Sequence, residues 1–304
     1  MEGFEILSRA SAFLVQSDVE SMKKNGRGSF PVANASTYAA RAAEKNGLSF
    51  LPTHHVVTSS HVVSPWRWPK YYPEEWLQFV TEEHTHYTLE IRDDSGVFVT
   101  QVECNPVTYH HANKDLAILH LADEVENLSL LEEVGYEHTE LLAPRMSADL
   151  AVPGVKLKFY GHNMLESGNN QSNFPSASSQ AGSGDDRQPV PQKVGGEIIH
   201  RTKEQIFSQT ESVLTDGMCG GPVLMTSEDE KVSRICGMVE GIVPVDHPSE
   251  PLRGLAVFIE SDDIWTFAND VEQGKVEPLA GGQSIDFVGT VNKDPDRDLH
   301  DLSP

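Results

Sequence analysis

The sequence predicts an all-β protein made of two barrel halves that share one cleft. Three observations carry that expectation. Short apolar runs of strand length are punctuated by turn residues, as in residues 87–92 and 97–102, which alternate apolar and polar and are joined by Asp93-Asp94-Ser95-Gly96. A thiol, Cys219, stands on a glycine-rich turn, TDGMCGGPVL at 215–224, with strand-like residues leading in and out. His61, Asp115 and Cys219 follow one another at gaps of 54 (115 − 61) and 104 (219 − 115) residues, each about right for a small β-barrel half.

Taken along the chain, residues 1–32 read as an N-terminal arm or as a short amphipathic helix over 4–22, with early acids that count against an organellar presequence. The first half, 33–145, contains HHVVTSSHVV at 54–63, an apolar run that includes His61. An aromatic, proline-bearing insertion, WRWPKYYP at 66–73, follows at the rim of the cleft, where it either contacts substrate or caps the first barrel, capping being the expectation. The hairpin comes next, then DLAILHL at 115–121, where a carboxylate enters an otherwise apolar stretch. The second half, 146–273, begins near VKLKFYG at 155–161. It is interrupted at 163–192 by a segment rich in Ser, Asn, Gln, Gly and Pro, which buries too little apolar surface to order itself and reads as a long mobile loop. Residues 264–271, opened by Ser261-Asp262-Asp263, read as a capped closing helix, and 274–304 as a disordered acidic tail.

Composition narrows the function classes. A chain of 304 residues with a formal charge of −23 is repelled by nucleic acid and by anionic membrane, so neither is expected as a partner. No run of about 18 apolar residues suggests a membrane span. The opening lacks a basic start followed by an apolar core, so no secretory signal is expected, and the reading is intracellular, cytoplasmic ahead of organellar. Three cysteines, Cys104, Cys219 and Cys236, are too few and too unevenly placed for a disulfide framework. Thirteen histidines include His84-Thr85-His86 and the pairs His54-His55 and His110-His111, but none falls in a metal-ligand spacing; no metal and no cofactor are expected. Oligomeric state is left unassigned.

The chemistry follows from residue types. A thiol attacks only as its thiolate, and an adjacent imidazole can take its proton; a buried carboxylate on the other ring nitrogen fixes tautomer and orientation. Cys219 is therefore the candidate nucleophile, His61 the general base and then acid, and Asp115 the orienting group. Glycines on both sides let the chain turn sharply, so that the N–H groups of Gly217 and Cys219 aim at one oxygen, as acyl transfer requires of an oxyanion hole. The competing reading of the turn is a glycine-rich hairpin with a buried cysteine. Cys236 reads as a core thiol, and His110 and His111 as solvated loop residues.

These segments resemble the chymotrypsin-fold proteases, closest to the HtrA/Deg type without a PDZ domain. GLSFLPTHHVVTSSHVV is similar to that family's glycine-led strand and histidine turn, YTLEIRDDSGVFVTQVECNPVTYHHANKDLAILHL to its hairpin and acid strand, and TESVLTDGMCGGPVLMTSEDEKVSRICGMVEGIV to its nucleophile loop and following strands. The resemblance implies two six-stranded barrels with a C-terminal helix, the catalytic roles already given to His61, Asp115 and Cys219, and a polypeptide substrate. Cysteine in place of serine resembles the picornavirus-type enzymes of this fold. Their histidine for reading glutamine has no equivalent in Gly237-Met238-Val239-Glu240-Gly241. The resemblance also implies a primary pocket with Val213 at its base and Val239 to Gly241 on its wall, which would favour small to medium apolar residues; core packing is the alternative for Val213. The function expected is an endopeptidase working through a thioacyl-enzyme. The alternatives are a catalytically inactive peptide-binding module of the same fold, or a serine enzyme whose nucleophile stands replaced by cysteine.

Overall fold

The computed structural model describes residues 6–16, 54–69, 71–136, 152–165, 188–202, 205–226 and 233–278, and these fold mainly as β-structure. Strands β1 (Phe13–Gln16), β2 (His54–Thr58), β3 (Thr88–Arg92), β4 (Phe98–His110) and β5 (Ala117–Leu121) form one curled antiparallel sheet in the order β1-β2-β5-β4-β3. Every residue of β2 and β5 is buried, because these central strands are covered on both faces; the apolar run at 54–58 and AILHL at 117–121 are written for that position. The β3–β4 hairpin turns where the sequence places it, with the Asp93 carboxylate accepting the Ser95 and Val97 N–H groups and Gly96 at φ +82°.

The second half closes completely. Strands β6 (Lys156–Leu165), β7 (Gln188–Arg201), β8 (Ile206–Thr210), β9 (Pro222–Thr226), β10 (Ser233–Ile242) and β11 (Ala256–Glu260) make a six-stranded barrel in the order β10-β11-β8-β7-β6-β9. Phe159, Phe258, Met218, Val223 and Val239 fill its interior. A closed barrel beside a five-stranded half-barrel, with a C-terminal helix, is compatible with a chymotrypsin-like double barrel. Among the described residues the α-helices are α1 (Ser60–Val63), α2 (Glu124–Glu133) and α3 (Ser261–Glu272). Among the described residues no helix is long and apolar enough to cross a membrane.

Four expectations are corrected. The N-terminal segment is a strand within the described residues: Phe13 and Val15 pack into one apolar cluster and Leu14 into another, a period of two that fits a strand covered on both faces. It pairs with β2 from Phe13↔Val57 to Gln16↔His54; the start of the glycine-led segment, 47–53, lies outside the described residues. The expected loop 163–192 is shorter, since β6 and β7 remain paired out to Leu165↔Gln188; its middle, 166–187, is outside the described residues. That extension packs on the first sheet, where a Cβ at Gly96 would stand 3.2 Å from the Pro189 carbonyl oxygen and 3.3 Å from Val190. Helix α3 begins at Ser261, with Glu260 at the N-cap and no side-chain cap; Asp262 and Asp263 instead offer their charge to its positive end. The expected tail starts later than 274, because Val276 still packs against the core.

Candidate active site

His61 and Asp115 meet because β2 and β5 are neighbours. His61 sits in α1, the single turn that follows β2, and Asp115 lies just before β5. One Asp115 oxygen accepts the His61 main-chain N–H at 2.8 Å and the other lies 2.5 Å from Nδ1. With Nδ1–H committed to the carboxylate, Nε2 is the ring nitrogen left to face the thiol. The Cys219 thiol is near enough to the imidazole to favour its charged form. Three segments far apart in sequence are thus joined through one ring. Burial disfavours the charged imidazole, but the Asp115 charge and hydrogen bond, with the Cys219 bond and the Tyr72 hydroxyl, outweigh it and hold the imidazolium well above its usual range.

The aromatic insertion encloses the histidine. Tyr71 stacks on the His61 ring at 5.3 Å and 14°, Trp68 meets it edge-on at 6.1 Å, and Tyr72 lies at 6.3 Å. Tyr71 is half exposed, so it forms the outer wall over the imidazole and does more than cap the sheet.

Cys219 is half-buried and follows a one-turn 3₁₀ helix, Asp216–Met218, anchored by Leu214 and Met218 in the barrel core. Only glycine fits after it. Gly220 has φ +80°, and a Cβ there would stand 2.3 Å from the Ser11 carbonyl oxygen; at Gly221 it would stand 2.1 Å from that of Tyr160. The Gly220 N–H donates to Val239, and the Val239 N–H returns to Gly221, which stitches the loop to β10.

The Met218 N–H donates to the Thr215 carbonyl at 2.9 Å, which closes the one-turn 3₁₀ helix between the two expected oxyanion donors, the Gly217 and Cys219 N–H groups.

The expected pocket is also corrected. Val213 is 63% exposed and is no floor, while Val239 is 1% exposed and points into the barrel core against Phe258. At Gly241 a Cβ would meet nothing within 4 Å, so this residue leaves open space beside β10.

Other groups take different roles from those expected. His110 is buried, 2.6 Å from the Ser60 hydroxyl and 3.1 Å from that of Thr108; burial first, and the Arg67 charge second, push its pKa down to about 3. It is therefore a neutral brace beneath α1 and not a solvated loop residue. Burial pushes the thiols of Cys104 and Cys236 up to about 12, and the Cys236 thiol donates to the Val223 carbonyl at 3.3 Å; all three cysteines are free. Among the described residues no group of three or more His, Cys, Asp or Glu is placed to hold a metal ion. Sequence reasoning missed Ser11, whose N–H donates to the Cys219 carbonyl at 3.1 Å; a lone serine in a short N-terminal stretch carries no signal. No model of a known protein family matches the chain, and no curated protein matches it in sequence.

Proposed function

We propose that the protein is an endopeptidase of chymotrypsin type that cleaves polypeptides through Cys219, His61 and Asp115. The observation that carries this reading is the His61 imidazole held by the Asp115 carboxylate at 2.5 Å, with Cys219 among the groups that favour its charged form. His61 takes the thiol proton, and the thiolate adds to the scissile carbonyl, whose π pair moves onto oxygen. When the tetrahedral species collapses, the C–N bond breaks and the imidazolium protonates the leaving amine, which leaves a thioacyl-enzyme. Water, deprotonated by the same imidazole, then attacks the thioester, and the thiolate leaves. The formal charge of −23 repels nucleic acid, which supports a polypeptide as the partner.

The test needs no known target. Labelled casein is digested with the wild-type protein and with Cys219→Ala, while iodoacetamide labelling of the folded protein is followed cysteine by cysteine. Turnover that Cys219→Ala abolishes is expected, with Cys219 labelled first and slowed by His61→Ala; equal labelling of the three thiols refutes the reading. The winding of Asp216–Met218 favours a second reading, an inactive peptide-binding module, in which labelling still follows His61 but no peptide bond is cut.

A further inference from the structure

Ser11 lies two residues before β1 on the segment expected to be an arm, yet it is 2% exposed and sits beneath the nucleophile loop. Its N–H donates to the Cys219 carbonyl at 3.1 Å, and its own carbonyl accepts the Thr58 hydroxyl at 2.8 Å. Its hydroxyl donates to the Gly217 carbonyl at 2.7 Å, accepts the His162 N–H at 2.9 Å, and lies 3.1 Å from His162 Nδ1. The space is fitted to a serine and little more: a Cβ at Gly161 would stand 2.9 Å from the Ser11 hydroxyl, and one at Gly221 3.2 Å from the Ser11 Cβ.

The consequence lies in which peptides of the loop are fixed. The Gly217–Met218 peptide is held at both ends, its carbonyl by the Ser11 hydroxyl and its N–H by the Thr215 carbonyl. The Cys219–Gly220 peptide is held through its carbonyl by the Ser11 N–H and through its N–H by the Val239 carbonyl. Ser11 thus holds the carbonyls of the same two residues, Gly217 and Cys219, whose N–H groups are the expected oxyanion donors. We propose that Ser11 is a positioning residue for the oxyanion donors: its hydroxyl holds the Gly217 carbonyl so that the Gly217 and Cys219 N–H groups converge. The inference rests on the endopeptidase reading and extends it to the N-terminal segment.

A positioning role for the oxyanion side separates two reactions at the same sulfur. Alkylation by iodoacetamide forms a C–S bond, expels iodide and builds no oxyanion. A peptide aldehyde accepts the thiolate at its carbonyl carbon, and the displaced π pair collects on oxygen, where the two N–H groups stabilise it. The experiment compares wild-type protein with Ser11→Ala in three assays: casein hydrolysis, inhibition by a panel of peptide aldehydes, and iodoacetamide labelling read on the Cys219 peptide by mass spectrometry. Removing one oxyanion donor lowers turnover by about 10²–10³-fold in comparable sites. Loss of the anchor is expected to cost about 10- to 100-fold in kcat and in aldehyde affinity, while KM and the alkylation rate stay within about twofold. Equal loss in alkylation and aldehyde binding, or no loss in either, overturns the proposal. If Ser11→Ala does not fold, Ser11→Cys supplies a weaker donor of similar shape and is expected to give the same split at smaller size; no split overturns it. Failure of the endopeptidase reading is seen separately, as a wild-type protein that neither cuts casein nor binds any aldehyde.

Discussion

Replacing Asp115 with asparagine keeps the shape of the side chain while removing its charge. The amide oxygen can still accept the His61 main-chain N–H, now at 2.8 Å, which turns the NH₂ toward Nδ1, now at 2.5 Å from the carboxylate. An NH₂ there forces the ring proton onto Nε2, where it can no longer receive the thiol's proton. The charge favours an imidazolium by about 4 kcal/mol at an effective dielectric of about 20 and a charge separation near 4 Å. Both side chains are only 10% exposed, so solvent screens little of this. With the charge gone, burial, which opposes the imidazolium, is left as the largest influence on the ring. The assay is the rate of Cys219 alkylation by iodoacetamide from pH 5 to 9. The thiolate is the reacting form, so a variant that no longer favours the imidazolium should be alkylated about 10- to 100-fold more slowly than wild type at the acid end of this range, with a smaller difference at the alkaline end. Parallel profiles across the whole range would refute the electrostatic argument, because the thiolate would then owe nothing to the Asp115–His61 pair.

Two further outcomes test the surroundings. Gly220→Ala places a methyl 2.3 Å from the Ser11 carbonyl oxygen and 2.4 Å from the Thr58 hydroxyl at a φ of +80°, and is expected to cost at least about 3 kcal/mol and to lower the Tm by roughly 6–12 °C. A melt within about 2 °C of wild type would contradict the packing under the loop. His110, with its pKa pushed down to about 3 from an unfolded value near 6.5, stabilises the fold above pH 6.5 and loses that contribution as pH falls toward 3, because the unfolded chain takes up the proton first. The urea midpoint should therefore fall between pH 6.5 and 4. His110→Gln should flatten that slope in part, since buried His120 is depressed in the same direction; an unchanged slope would refute the assignment.

Much of this fold is legible because it is written in local signals. The hairpin of β3 and β4 follows from alternation and an Asp-Asp-Ser-Gly turn, the barrel start near 156 from alternating Lys, Leu and Phe, and the nucleophile loop from its glycines. The shared position of His61 and Asp115 follows once the two apolar runs that carry them are read as neighbouring strands. Other features depend on partners that no local pattern reveals. Phe13, Leu14 and Val15 are consecutive apolar residues, which suit either a helix or a two-faced strand, and only the cores on each side decide between them. Val213 and Val239 look alike in sequence, but one lies on an open loop and the other inside the barrel. His110 reads as a loop residue in sequence, but Ser60 and Thr108 close around it.

The meeting of His61 and Cys219 is secured by packing more than by the bonds at the site. One continuous apolar cluster takes Phe13, Val15, Val57, Tyr109 and Ile118 from the first sheet, Ile235, Met238 and Ile259 from the barrel, and Ile264 and Phe267 from α3. Close-packed cores of this kind resist sliding, because any relative shift opens voids on both sides at once. Two further links cross the same seam: Lys114, the residue before Asp115, meets Asp263 of α3 at 2.6 Å, and buried His55 bonds Glu272 of α3 at 2.7 Å. Helix α3 thus fixes the acid-bearing and histidine-bearing strands to the barrel that carries the thiol. With the two halves immobilised in this way, conversion between a closed and a receptive site cannot be a rigid-body motion of one half against the other. It must be local, within the single 3₁₀ turn Asp216–Met218 that leads into Cys219.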